Sequence, residues 1–313
     1  MVELLLGLLA ENSLVLHSVV NLFTKQSIMG RYDILHRIQQ LDPVQDHCEI
    51  YHLMSGYEFP WEIMRSLEVA LMRTFCVPSI SALLDKTGEF KLRPQKRYDD
   101  TGLLTAEIVK WGYESERGTQ AIERMNAIHG RFKISNEDFL YVLSTFIYEP
   151  IRWNARFGWR SMCEQERLAS FYFWREVGKL MHIQDIPETY QELERYNLDY
   201  EREHFRYSEP NRRIGEATRD LFLSWFPRIL QPAIEPAIYA LLDDAIIEAC
   251  GLPQAPKILR SGVAISLKWR GRILHLFPPR KQPDFFTDSP VRSYPSGYEI
   301  SKLGSAKSPN QQS

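Results

Sequence analysis

Apolar residues recur at helical spacing in almost every segment of this chain and alternate at strand spacing in hardly any, and this pattern narrows the fold more than any other. In "PWEIMRSLEVALMRTF" (60–75) a proline opens the segment, and Ile63, Met64, Leu67, Ala70 and Leu71 make one stripe. Pro78 breaks it and starts "SISALLDKTGEF". "RPQKRYDDTGLLTAEIVKWGYES" predicts a helix running to about Trp111, with Asp99 or Asp100 as its cap. Ser115 is placed to cap the next helix, which carries His129. Ser135 with Asp138 is a short-acid version of the capping box, opening a helix whose Leu140, Leu143 and Ile147 side is apolar and which Pro150 limits. "CEQERLASFYFWREVGKLMHI" predicts a helix ending near Gly178 or His182, and "IPETYQELERY" one with proline in its first turn. "RRIGEATRDLFLSWF" and "PAIYALLDDAIIEACG" add two more. "GVAISLKWRGRILHLF" alternates weakly and is either a strand pair or another helix.

A chain of 313 residues with 44% hydrophobic content can close a sizeable core. No Gly/Ser linker divides residues 30–280, so residues 31–283 are expected to form one all-α domain. Residues 1–30 are read as an amphipathic helix that lies on a membrane surface or packs on the core. Glu3, Glu11, Asn12, His17 and Asn21 interrupt it, and a spanning helix needs about 20 mostly apolar residues. A basic start and a small-residue cleavage site, the marks of a signal peptide, are missing. Residues 284–313, rich in Pro, Ser, Lys and Gln, are expected to be a disordered tail. The expected location is cytoplasmic or peripheral to the endoplasmic reticulum membrane.

A formal charge of −2 and scattered basic residues argue against nucleic acid as a partner. Cys48, Cys76, Cys163 and Cys250 are far apart with no C-x-x-C pair, and read as reduced thiols. Phosphate-binding loops, the dinucleotide fingerprint, the serine-hydrolase elbow and H-E-x-x-H are all missing. The glycine spacing around Cys163 does not suit a haem-thiolate loop.

Two constellations remain. "EIYH" (Glu49, His52) and "EREH" (Glu201, His204) are each half of a di-iron carboxylate ligand set. That reading needs two further inward glutamates, with Glu68, Glu107, Glu149 and Glu176 as candidates. The other constellation is "KRYDDT" (96–101) with His129. Asn126, Met125 and Ile122 share the face of His129, so the imidazole is expected to point inward toward a carbonyl, carboxylate, water or metal. Arg97 and Thr101 share one face of their helix, and His129 falls on a neighbouring antiparallel segment able to oppose it.

The strings "RYDILHRIQQLDPVQDHCEIYHLMSGYEFPWEI", "KRYDDT", "ERMNAIHGRF", "YVLSTFIYEPIRW", "FGWR" and "IPETY", in order from about Arg31 to Arg280, resemble one family. It is the catalytic-domain family of the mycophenolic-acid-pathway oxygenase and the bacterial rubber oxygenase (latex clearing protein), in its fungal branch. The resemblance implies a globin-like helical core holding haem b. It implies His129 as the iron ligand, since Met125 and His129 match the family's Met-x-x-x-His, with Arg131 just after. Arg97 and Thr101 match the distal Arg-x-x-Lys-Thr motif, but Asp100 stands at its lysine. Asp100 is therefore either an acid/base or water-orienting group, or an N-cap without a catalytic part.

On this resemblance the expected activity is a haem-dependent oxygenase. It would use dioxygen to oxygenate or cleave an olefin of a lipophilic, isoprenoid-like metabolite in fungal secondary metabolism. Arg97 and Thr101 would stabilise negative charge opposite His129, whose second ring nitrogen a carbonyl or carboxylate would hold. The rival readings are a di-iron carboxylate oxidoreductase and a non-catalytic helical haem-binding protein. Nothing in the sequence sets the oligomeric state.

Overall fold

The structure, a computed structural model, describes residues 30–304, so the segment read as an N-terminal helix lies almost entirely outside the described residues. The described residues form fourteen α-helices and no strand beyond one isolated bridge between Val291 and Tyr294. In chain order they are α1 (Asp33–Gln40), α2 (His47–Leu53), α3 (Pro60–Thr74), α4 (Pro78–Thr87), α5 (Glu89–Leu92), α6 (Pro94–Trp111) and α7 (Glu116–His129). There follow α8 (Asn136–Phe157), α9 (Glu164–Leu180), α10 (Tyr190–His204), α11 (Glu209–Ser224), α12 (Gln231–Leu241), α13 (Asp244–Cys250) and α14 (Lys257–His275). A π-helical turn, Met54–Glu58, joins α2 to α3. The all-α expectation holds.

Local chemistry explains most starts and stops. Pro60, Pro78 and Pro94 sit in the first turn of their helices, where the missing N–H has no intrahelical acceptor to lose. Ser115 accepts from the Gly118 N–H and Ser135 from the Asp138 N–H, as their spacing predicts. The Asp138 carboxylate does not reciprocate; it accepts from Ser79 and Tyr200 instead. Thr189 and Glu192 cap α10, which leaves Pro187 outside the helix rather than in its first turn.

The structure departs from two other expectations and settles an open one. α6 begins at Pro94, so Asp99 and Asp100 lie buried in its second turn and neither is a cap. α8 does not stop at Pro150 but continues to Phe157. An interior proline costs about 3 kcal/mol, but the extra turns bury Trp153 and Phe157 against Leu267 of α14, roughly 2–3 kcal/mol each. The Asn154 amide also donates to the Pro150 carbonyl at 2.9 Å. The weakly alternating segment is one helix, α14. Its Leu267, Arg270 and Gly271 face inward. Gly271 lies so close to the end of α8 that a Cβ there would stand 2.8 Å from the Gly158 carbonyl oxygen.

The largest core is built mainly from α2, α3 and α6–α9, and a second gathers Met72, Phe75, Phe90 and the apolar faces of α11–α13. Residues 284–304, expected to lie in a disordered tail, instead cross α6 and α7 as an irregular strap. Phe285, Val291, Ile300 and Leu303 are buried. The Ser293 N–H donates to Asp99 Oδ2 at 2.9 Å, and the hydroxyls of Tyr294 and Tyr298 donate to Asp100 and Glu107. Lys96 Nζ and Arg124 Nε donate to the carbonyls of Gly304 and Leu303 at 3.1 and 2.7 Å. Four apolar anchors with this set of polar ones suffice for a segment of low apolar content. Residues 305–313 lie outside the described residues.

Candidate active site

Helices α3, α4, α6, α7 and α8, with the strap, enclose a cavity of about 870 Å³, inside the range of ~300–1,000 Å³ usual for small-molecule and cofactor sites. α3 contributes Ile63, Met64, Leu67 and Leu71, α8 contributes Phe139, Val142, Leu143 and Phe146, and the strap contributes Phe285 and Phe286. The wall is chiefly apolar because each of these helices turns the stripe visible in its sequence toward the same centre. Arg97, Asp100, Thr101, Met125 and His129 all line this one cavity.

His129 is the last residue of α7, and its ring meets Phe139 edge-on at 5.4 Å between centroids. Its Nδ1 is buried and has no hydrogen-bond partner. No carbonyl or carboxylate bonds Nδ1, and the Phe139 ring of α8 packs beside the imidazole. Burial, reinforced by the nearby Arg97 charge, pulls the imidazole down to about 4. The ring is thus neutral at pH 7 with a lone pair free to bind. A buried polar nitrogen left unpaired costs about 1–3 kcal/mol, so the position suits a ligand from outside the chain.

Arg97 donates to the Thr101 hydroxyl, and its guanidinium carbon lies 5.5 Å from the Phe90 ring centroid. It forms no ion pair with any described residue; burial lowers its pKa, opposed by the fields of Asp100 and Glu89. Arginine stays protonated even so. The Thr101 hydroxyl in turn donates to the Arg97 carbonyl at 3.0 Å. The cavity therefore holds a fixed, un-neutralised cation next to a hydroxyl. Asp100 is otherwise engaged: Lys96 Nζ lies 2.7 Å from its Oδ2, and Tyr294 of the strap takes Oδ1. Met125 stands one helical turn before His129 in the same wall.

Of the other polar groups in this wall, the sequence named Glu68 only as a candidate metal-binding carboxylate and Asp138 only as a capping acid, and did not single out Tyr98 or Tyr200. Tyr98 donates to Glu68 at 2.7 Å. Elsewhere along the wall Asp138 accepts from Ser79 and Tyr200, and the Tyr200 ring is stacked between Tyr141 and His204 at 4.7 and 4.0 Å. Glu68 had a usable signal, since it lies one turn from Met64 and Leu71 on an apolar face. Asp138 had none beyond its apparent capping role.

The Glu-x-x-His pairs do not assemble. Glu49 pairs with Arg37 and Glu201 with Arg73, while His52 and His204 turn Nδ1 to the carbonyls of Lys110 and Tyr200. Glu68, Glu107, Glu149 and Glu176 are bound to Arg65, Arg117, Arg73 with Arg152, and Lys179. Among the described residues no three of His, Cys, Asp and Glu stand close enough to hold an ion, so the di-iron reading loses its ligands. The Cys163 thiol opens α9, and burial with Glu166 beside it raises its pKa to about 11.

The sequence profile described as "ER-bound oxygenase mpaB/B'/Rubber oxygenase, catalytic domain" matches residues 62–269. The chain is 30% identical to the ER-bound oxygenase mpaB' of Penicillium brevicompactum over 248 residues, which is 72% of this chain and 58% of that protein. It is 28% identical to the ER-bound oxygenase mpaB of Penicillium roqueforti (strain FM164) over 211 residues, 61% of this chain and 70% of the relative. With the mpaB of Penicillium brevicompactum the identity is 30% over 190 residues, 55% of this chain and 48% of the relative. The matched part thus spans between about half and 70% of these relatives.

Proposed function

The chain belongs to the family of ER-bound mpaB/B' oxygenases and rubber oxygenase catalytic domains, and on that premise we propose that it is a haem b-dependent oxygenase of fungal secondary metabolism acting on a lipophilic, isoprenoid-like metabolite. The observation that carries this reading is His129, a neutral imidazole in the wall of a large apolar cavity with Nδ1 unpaired. The donor set fits the group: a porphyrin brings its own nitrogens and needs few ligands from the protein, so His129 would hold it where, among the described residues, no cluster of three ligating side chains exists. Haem, when bound, supplies the redox chemistry toward dioxygen that no side chain offers.

The chain's own residues do the rest. Arg97, its guanidinium held by the Thr101 hydroxyl, presents a fixed donor to negative charge developing inside the cavity, where low dielectric strengthens its effect. The walls from α3 and α8 exclude water and match an apolar chain by shape and solvation. Inserting one dioxygen across a C=C bond and breaking that bond gives two carbonyls, so the cleavage balances without a further reductant. Asp100, held by Lys96 and Tyr294, keeps the strap in place.

Membrane attachment is proposed to be peripheral. Among the described residues no single helix is long and apolar enough to cross a bilayer; α3 and α4 have the composition together but bend by 98° between them.

The test is an absorption spectrum with an iron count on the purified protein supplied with haem. A Soret band with one haem per chain, lost in His129→Ala while the helical circular dichroism stays, is the expected result. No band, or a band undiminished in the variant, would overturn the assignment. Haem-loaded protein that leaves every offered alkene intact under dioxygen would reduce it to a binding protein.

A further inference from the structure

α14 turns an apolar, cationic face away from the protein. Ile258, Ile265, Trp269 and Leu276 are 88, 54, 55 and 82% exposed, and Ile273 stands beside them. At 100° per residue these positions fall on one stripe. Lys257, Lys268 and Arg272 border that stripe along one side, and none of the three forms an ion pair with any described residue. No Asp or Glu occurs from Lys257 to Lys281, in a chain whose formal net charge is −2.

The helix cannot roll to hide this face. Arg270 is locked to buried Glu62 at 2.6 Å with its guanidinium 3.6 Å from the Trp61 ring centroid, and Gly271 lies against the end of α8. The apolar stripe is thereby held outward over roughly 28 Å of helix.

We propose that the outward face of α14 docks in the plane of an anionic lipid bilayer. Isoleucine, leucine and tryptophan would enter the boundary between headgroups and acyl chains, and Lys257, Lys268 and Arg272 would meet the headgroup charge. Charge complementarity selects this occupant over a second copy of the chain. An antiparallel two-fold pairing would set the same unpaired cations against one another, and a parallel one would offer them no acidic residue of the facing helix. The inference does not depend on haem or on the activity.

Flotation of the full chain with vesicles tests it. The probes are phosphatidylcholine alone and phosphatidylcholine with about a third phosphatidylserine, the anionic component. The expected result is partition onto the anionic vesicles that declines with added salt. The Lys268→Gln/Arg272→Gln variant should bind these vesicles roughly twenty-five-fold more weakly, about fivefold per cation. Ile265→Ser/Trp269→Ser should lose binding while keeping the wild-type melting temperature. Equal partition onto neutral and anionic vesicles, or variants that bind like wild type, would overturn the proposal. So would a stable dimer that the same variants dissociate, or melting temperatures that fall in the variants with partition unchanged. The last outcome would mean that another part of this chain covers the face.

Discussion

At the scale of single residues, the cavity is defined by two groups whose ordinary partners are missing: an imidazole without an acceptor or donor at Nδ1 and a guanidinium without a carboxylate. The first has a measurable signature in stability. With the folded-state value pulled to about 4 from an ordinary 6.5, the unfolded chain binds the extra proton between those limits. Stability is therefore complete above pH 6.5 and falls as the pH drops toward 4, by on the order of 3 kcal/mol in protein with nothing bound at Nδ1. Urea melts across that range should show this loss, and His129→Phe should flatten the acid limb relative to wild type. Arg73 is the contrasting case, with Glu201, Glu149 and Asp243 all around its guanidinium. Its replacement by methionine strands buried carboxylates and is expected to cost about 3–5 kcal/mol in equilibrium unfolding. The sequence could mark His129 because wheel geometry alone sets its face. It could not mark Tyr98 or Asp138, whose inward polar contacts depend on α3 and α10 being packed beside them.

At the scale of elements, what was legible is what is local. Ser115 and Ser135 cap their own helices, Pro60 and Pro78 open theirs, and the stripe of α3 reaches the cavity as its spacing implied. What was not legible depends on distant partners. α8 passes Pro150 because α14, more than a hundred residues later, packs on its far end. The strap orders because Asp99, Asp100 and Glu107 of α6 await it nearly two hundred residues upstream, and a composition count sees only its serines and prolines. The lysine-to-aspartate departure at position 100 acquires a meaning here, as a strap anchor. Asp100→Asn should leave the helical circular dichroism unchanged yet speed amide exchange through Val291–Gly304 by roughly tenfold, the effect of about 1–1.5 kcal/mol lost from one charge-assisted contact. Gly56→Ala acts from the other side. Its Cβ would stand 2.6 Å from the Phe285 ring, so a destabilisation of about 1–3 kcal/mol and easier proteolysis of the strap are expected.

At the scale of the whole molecule, the packed cores and the cavity should answer opposite ways to added volume. A larger side chain facing the cavity, such as Val142→Phe, enters open space. It should change the melting free energy by less than about 1 kcal/mol while raising KM several-fold for any substrate that the cavity takes. The same enlargement at Ala121 or Ala169, both fully buried in the main core, should cost about 1–3 kcal/mol. Chain order adds one consequence of the strap. Residues 284–304 leave the ribosome only after every helix that forms the cavity wall. The nascent domain can therefore settle with that side still open, and a bulky planar guest can drop in from there before the final stretch of chain closes over it like the last stave of a cask.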